Sequence, residues 1–213
     1  MRIKEKKKLI QNNFKMTNKD FINNLISNVG NIEFPSDNMN YNVIFLDFDG
    51  CLTSVDSGTH YYCMDDLSYK PCKKIVDKIK RLCDETNSKI CLTTNWRKYE
   101  DSEKHYYVYK GIRFPSQLPK LKKMLKNYLI DNLPVIKKYV NGYETSENKS
   151  VSLKKWFEIN KDFTGKFVIF DDSDWNGFHK TRKYGINKHF IHIDFKTGIT
   201  DEDIDNARKI LNG

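Results

Sequence analysis

The chain has 213 residues, a formal charge of +9 from 37 basic and 28 acidic side chains, and 13% aromatic residues. That length suits one domain plus a modest extension and supports a core without a disulfide or zinc staple. The aromatic content excludes global disorder. No apolar run approaches the ~20 residues needed to cross a bilayer, and the basic start, Met1 to Leu9, lacks a signal peptide's apolar stretch, so a cytoplasmic protein is expected.

Residues 1–40 are rich in Lys and Asn and read as an extension preceding a domain over 41–213. Within it Phe21, Leu25 and Ile26 mark a short helix beginning near Thr17 or Asn18. Val43-Ile44-Phe45-Leu46 is a continuous apolar run, the pattern of a central parallel strand covered on both faces. Ile75, Val76, Ile79 and Leu82 carry helical spacing, with Pro71 near the start. Ile90-Cys91-Leu92 is the second strand. Leu118, Leu121, Leu125 and Leu129 predict a helix, and Pro134-Val135-Ile136 begins a third, edge-like strand. Val151 to Phe157 reads as a helix, Phe167-Val168-Ile169-Phe170 as a strong strand, and His189 to Asp194 as a last strand. Thr200, with Asp203 three residues on, opens a C-terminal helix whose inner face holds Ile204, Ala207 and Leu211. Strands alternating with helices predict a parallel α/β sheet, and ligands of such sheets bind beyond the carboxyl ends of the strands.

The three strongest strands all end in chemically competent residues: Asp47-Phe48-Asp49, Thr93-Thr94-Asn95 and Asp171-Asp172-Ser173-Asp174. A lone Asp at a strand end is an ordinary turn residue. Two acidic clusters on one sheet ask for a counter-charge, because unpaired buried carboxylates are costly. A divalent cation supplies it, and oxygen-only donors favour Mg²⁺. The five cysteines, Cys51, Cys63, Cys72, Cys83 and Cys91, form no Cys-x-x-Cys pair, which argues for reduced thiols rather than a zinc site.

These motifs carry a resemblance. Asp47-Phe48-Asp49-Gly50-Cys51-Leu52-Thr53 resembles the first motif of the haloacid dehalogenase (HAD) superfamily, Asp-x-Asp-x-x-Thr after a hydrophobic strand. Leu92-Thr93-Thr94 is similar to its second motif, Lys149 to its basic third, and Phe170-Asp171-Asp172-Ser173-Asp174 to its acidic fourth. The stretches Thr93-Thr94-Asn95-Trp96-Arg97, Lys149 to Trp156, and His189 to Thr200 further resemble the phosphatase-type domain of Swiss Army Knife RNA repair proteins. This chain departs from that pattern in carrying Thr where members often have Ser, and Lys149 where they have Arg.

The resemblance implies a Rossmann-like three-layer HAD fold around a central parallel sheet, with no cap or a minimal one. It implies a Mg²⁺-dependent phosphatase in which Asp47 attacks phosphorus and Asp49 serves as acid and then base. Thr93 and Lys149 would bind phosphoryl oxygens, with Thr94 taking the place of Thr93 if the register slips by one. Thr94, Asn95 and Arg97 are the expected substrate-binding residues. The metal would be held by Asp47, by Asp49 through its carbonyl, and by Asp172 or Asp171, with Asp174 a third choice. Thr53 is expected to steady Asp49, and Asp56 to Tyr69 to form a flap. Trp96 reads as core before base platform, and His60 and His179 as loop residues. An open site and the positive charge point to a phosphorylated substrate such as RNA or DNA ends, or nucleotides. The other readings are a protein or small-molecule phosphatase and a noncatalytic module that binds RNA or protein.

Overall fold

The structure is a computed structural model. It describes residues 40–60, 70–96, 106–109, 112–115, 117–140 and 143–213. The expected N-terminal helix, Arg97 and most of the expected flap lie outside the described residues.

Five parallel strands form the central sheet in the order β5-β2-β1-β8-β9. They are β1 (Asn42–Leu46), β2 (Ser88–Leu92), β5 (Leu129–Asn132), β8 (Phe167–Asp171) and β9 (Phe190–His192). Among the described residues the α-helices are α1 (Lys73–Thr86), α2 (Leu118–Leu125), α3 (Lys149–Ile159) and α4 (Asp201–Asn212). Two antiparallel hairpins, β3 (Tyr106–Tyr109) with β4 (Ile112–Pro115) and β6 (Lys137–Val140) with β7 (Tyr143–Ser146), lie in the stretch between β2 and α3.

β1 is central because both of its faces are apolar. Ile44 and Leu46 pack into one buried cluster with Ile79, Leu82, Ala207 and Leu211. Val43 and Phe45 pack into the other with Leu153, Trp156 and Phe167. Phe45 meets the Trp156 ring edge-on at 5.1 Å, a geometry favoured by the ring quadrupoles. Side chains alternate along a strand, so one apolar run serves two layers of helix.

Three sequence expectations need correction. The third strand is Leu129–Asn132, paired with β2, and not Pro134–Ile136. Pro134 brings no N–H to a ladder, while Leu133 N–H already closes on the Leu92 carbonyl at 2.7 Å. The helix from Leu118 therefore stops at Leu125, because Leu129 belongs to the strand. The last strand is shorter than His189–Asp194, covering Phe190–His192 at the sheet edge.

Helix α4 starts as its sequence dictates. Thr200 Oγ1 accepts from Asp203 N–H at 3.2 Å, and the Asp203 carboxylate accepts from Thr200 N–H at 2.8 Å. Asp201, Glu202 and Asp203 put negative charge on the positive end of the helix. Thr200→Ala is expected to cost about 1–2 kcal/mol. Urea unfolding checks this as a lowered midpoint at unchanged slope, and Thr200→Ser should restore most of the loss.

Candidate active site

Register brings the site together. Leu46 lies opposite both Leu92 and Phe170, so the next residues, Asp47, Thr93 and Asp171, emerge at one level of the sheet. Backbone bonds fix this: Asp47 N–H donates to the Phe170 carbonyl at 3.0 Å, and Thr93 N–H to the Leu46 carbonyl at 2.9 Å.

Lys149 enters from the first position of α3. A lysine is electrostatically misplaced at a helix N-terminus, and this one is only 2% exposed. Its position is explained by its partners: the ammonium donates to Asp47 Oδ2 and, at 2.7 Å, to Asp171 Oδ2. Burial works to lower the Lys149 pKa, but the Asp47 and Asp171 carboxylates outweigh it and hold it above the ordinary lysine value.

Asp171 is fully engaged. Its Oδ1 accepts from Ser173 N–H at 3.0 Å and from the Asn176 amide at 2.7 Å. Burial raises its pKa to about 6, against the pull of Lys149. Asp172 turns the other way, as neighbours at a strand end do, and its carboxylate lies against Gly50. Burial and the charges of Asp47 and Asp171 raise it to about 7. His192 Nε2 sits 3.0 Å from the Asp172 carbonyl; a carbonyl only accepts, so Nε2 carries the proton.

Gly50 has φ +70°, and a Cβ there would meet Asp172 Oδ2 at 2.3 Å. Gly50→Ala combines a left-handed backbone with a clash. It is expected to cost about 1–3 kcal/mol and to displace the Asp172 carboxylate. A fall in both thermal midpoint and metal affinity checks this; a fall in only the midpoint contradicts the displacement.

Asp49 is half-buried beside them, with its Oδ1 enclosed. The Trp96 indole N–H donates to its Oδ2 at 3.1 Å, while its Oδ1 has no hydrogen-bond partner. Burial first, and then the charge of Asp47, push its carboxyl well above the usual carboxylate range. Asp49 therefore holds its proton more tightly than an ordinary carboxyl does, beside Asp47, whose counter-ion is Lys149.

The cluster fits a hard divalent cation. Asp47, Asp171 and Asp172 each offer a carboxylate oxygen, and these lie within 4.8 Å of one another. Three carboxylates against one ammonium leave an excess of two negative charges, which one divalent ion balances. The orphaned Asp49 Oδ1 and the Gly50 notch are further openings at the same place. The Asp49 carboxylate is not among the three grouped oxygens.

The remaining expected residues separate. Thr93 and Thr94 are buried at the end of β2, and Asn95 is exposed beside them. Thr94 Oγ1 accepts from Trp96 N–H at 3.3 Å. Thr53 steadies the loop by its hydroxyl accepting from Gly50 N–H at 3.1 Å, a backbone contact rather than the expected one to the Asp49 carboxylate. Cys51 is buried, and burial with the nearby carboxylates pushes its thiol well up, so it stays protonated. His60 lies in a loop, as expected, but is buried there, its pKa lowered to about 4 by burial.

Trp96, Asn176 and His192 are site residues that sequence reasoning missed. Trp96 does pack in the core, edge-on to Phe48 at 6.4 Å, but its N–H is spent on Asp49. Asn176 and His192 carry no spacing signal, since their contacts exist only in the fold.

Among the described residues no helix is long and apolar enough to cross a membrane. No curated protein and no solved structure matches the chain. The family profile of the HAD domain in Swiss Army Knife RNA repair proteins matches residues 43–204, a span that runs from β1 into α4 and contains every carboxylate of the cluster together with Lys149. The chain belongs to this family of HAD domains, with a hydrolase-type fold and an acidic cluster suited to a metal ion.

Proposed function

We propose that the domain is a Mg²⁺-dependent phosphatase acting through an aspartyl-phosphate on phosphorylated polynucleotide ends or nucleotides. The observation that carries this reading is the pairing of unlike carboxyls: Asp47 held by the Lys149 ammonium, and Asp49 hydrogen-bonded by the Trp96 indole with its carboxyl pushed up by burial. A carboxylate paired with an ammonium suits the nucleophile, and a neighbouring carboxyl that holds its proton more tightly suits the acid.

Asp47 would attack phosphorus, forming an O–P bond as the bond to the leaving oxygen breaks. Asp49 would give its proton to that oxygen. A water molecule then attacks phosphorus, Asp49 takes its proton, and phosphate leaves with Asp47 restored. Trp96 orients Asp49 through its indole N–H. Lys149 and the Thr93 hydroxyl would meet the phosphoryl oxygens.

Asp47, Asp172 and the Asp49 carbonyl would hold Mg²⁺, while Asp171, its two oxygens engaged, fixes Lys149. When bound, the ion supplies positive charge that offsets the developing charge on the phosphoryl group. Asn95 and Arg97 would contact the rest of the substrate.

A substrate panel tests this reading. Oligonucleotides with 3′- or 5′-phosphate, nucleotides, a phosphopeptide and sugar phosphates are compared by phosphate release. Highest kcat/KM on a nucleic-acid end or nucleotide supports it. Highest kcat/KM on the phosphopeptide or a sugar phosphate contradicts the substrate assignment.

A further inference from the structure

Trp175 is 90% exposed and sits in the turn that follows the acidic strand end. A side chain so exposed contributes nothing to the core, so the fold does not require an indole there. Its mount, by contrast, is hydrogen-bonded and tied to the site. Trp175 N–H donates to Ser173 Oγ at 3.3 Å, and Gly177 N–H to the Asp174 carbonyl at 3.3 Å. The next residue, Asn176, donates its amide to Asp171 at 2.7 Å. A large planar ring is therefore held in solvent one residue from a side chain that bonds the catalytic cluster.

The chain beyond it is unusual in charge. From Trp175 to Ile193 there is no Asp or Glu, while Lys180, Arg182, Lys183 and Lys188 are present. All four cations are exposed. Lys183 reaches Glu158 at 3.4 Å; among the described residues no ion pair involves Lys180, Arg182 or Lys188.

The route of this segment is also fixed. Gly177 passes the first turn of α3, where a Cβ would meet Ser150 Oγ at 3.1 Å. Lys183 reaches Glu158 near the last turn, and Tyr184 stacks on Phe157 at 4.8 Å. Ser150 and Glu158 are separated by about 12 Å of helix. Phe178 is buried as an anchor, and Thr181 ties the turns together through Gly177 and Asn187. The result is an acid-free cationic strap that begins at the carboxylates and runs down the flank of the domain.

We propose that the β8–β9 connection, from Trp175 to Lys188, is the track for a single-stranded polynucleotide end. Trp175 stacks on a base next to the reacting phosphate, and Lys180 and Arg182 hold the sugar-phosphate backbone. This rests on the nucleic-acid reading of the substrate given above. The chemistry favours a nucleic acid over a protein partner: the exposed indole has the polar chain neighbours Asp174 and Asn176, and the segment that follows it is cationic and free of acids. Stacking with cationic backbone contacts is how single strands are bound without sequence preference.

The test is fluorescence anisotropy of labelled single-stranded oligonucleotides, on the full chain in EDTA so that no turnover intervenes. Trp175→Ala should weaken binding about 5- to 100-fold, and Trp175→Phe should restore most of it. An oligonucleotide with an abasic end should bind the parent chain with the same loss and bind Trp175→Ala with no further loss. Lys180→Glu with Arg182→Glu should lower the slope of log K against log[salt] by about 1.4. Lys123→Glu with Lys126→Glu, an equal charge change on and just after α2, should leave the slope unchanged.

Oligonucleotide binding by Trp175→Ala equal to that of the parent chain overturns the proposal. So does an equal slope change in the two charge-reversed pairs, or an acidic peptide that competes as strongly as the oligonucleotide and shows the same dependence on Trp175. A chain that uses the track but hydrolyses no phosphate sinks the phosphatase reading alone. A chain that hydrolyses phosphate while ignoring every strap variant sinks the track alone.

Discussion

Lys149→Met is expected to abolish phosphate release and to lower metal-free stability by about 3–5 kcal/mol at pH 7. The side chain is nearly isosteric, so little packing is lost. What is lost is the only ammonium hydrogen-bonded to Asp47 and Asp171 among the described residues. Both carboxylates then remain buried without their cation, and removing one partner of a buried pair costs far more than the pair contributes.

The pH dependence has a definite sign. Asp171 and Asp172 are raised above their unfolded values, to about 6 and about 7. Between the ordinary carboxylate range near pH 4 and those values, the folded chain binds more protons than the unfolded chain. Stability from these groups therefore falls as pH rises through that window and is flat above it. Without Lys149 both values move higher, so the window widens upward. The defect should be smallest near pH 5 and keep growing past pH 7, toward the higher values reached without Lys149, as read by urea unfolding across that range. A defect independent of pH would mean that lost packing, not uncompensated charge, is responsible.

Asp49→Asn should move stability in the opposite direction while also stopping catalysis. Asp49 is half-buried with Oδ1 enclosed and unpartnered, and its carboxyl lies well above the usual range. The folded chain therefore holds this proton more tightly than the unfolded chain does, which costs stability as pH rises above the ordinary carboxylate range. Asparagine has the same shape and carries no such cost, so a gain of about 1–2 kcal/mol is expected in metal-free protein. The gain should vanish below pH 4, where the unfolded carboxyl is also protonated. Turnover should fall by about 10²–10⁴-fold, the usual contribution of a positioned acid or base. Unchanged turnover would remove Asp49 from the mechanism, and a loss of stability would mean that the side chain is ionised in the fold.

The opposed signs of these two variants reflect how the site is built. Lys149 at a helix N-terminus and Asp49 in a buried setting each break a local rule, and such violations gather where function demands them. Both were legible in the sequence through the motifs they sit in. β1, β2 and β8 were legible too, because a strand covered on both faces is a continuous apolar run. β5 was not. Leu129 fits the helical spacing set by Leu118, Leu121 and Leu125, and only pairing with β2 assigns it to the sheet.

Within the site, the limit of sequence reading is the side-chain contact across long separations. Trp96 and Asp49 are 47 residues apart, and nothing in either motif announces the bond between them. Asp171 and Asp172 are adjacent and identical in type, so their different tasks depend on which face of the strand end each takes. The fold decides it: one faces Lys149 and Asn176, the other Gly50. Trp175 is invisible for the reverse reason, since a tryptophan in sequence reads as core until its exposure is known.

The most direct test of the account is hydrolysis of a generic aryl phosphate by the full chain with Mg²⁺, with EDTA, and by Asp47→Asn. Asp47 is the proposed nucleophile, and a small unspecific ester bypasses every question of substrate recognition. Release of phosphate with Mg²⁺, lost in EDTA and in Asp47→Asn, is the predicted result. Release that persists in Asp47→Asn would contradict the aspartyl-phosphate at the centre of the mechanism.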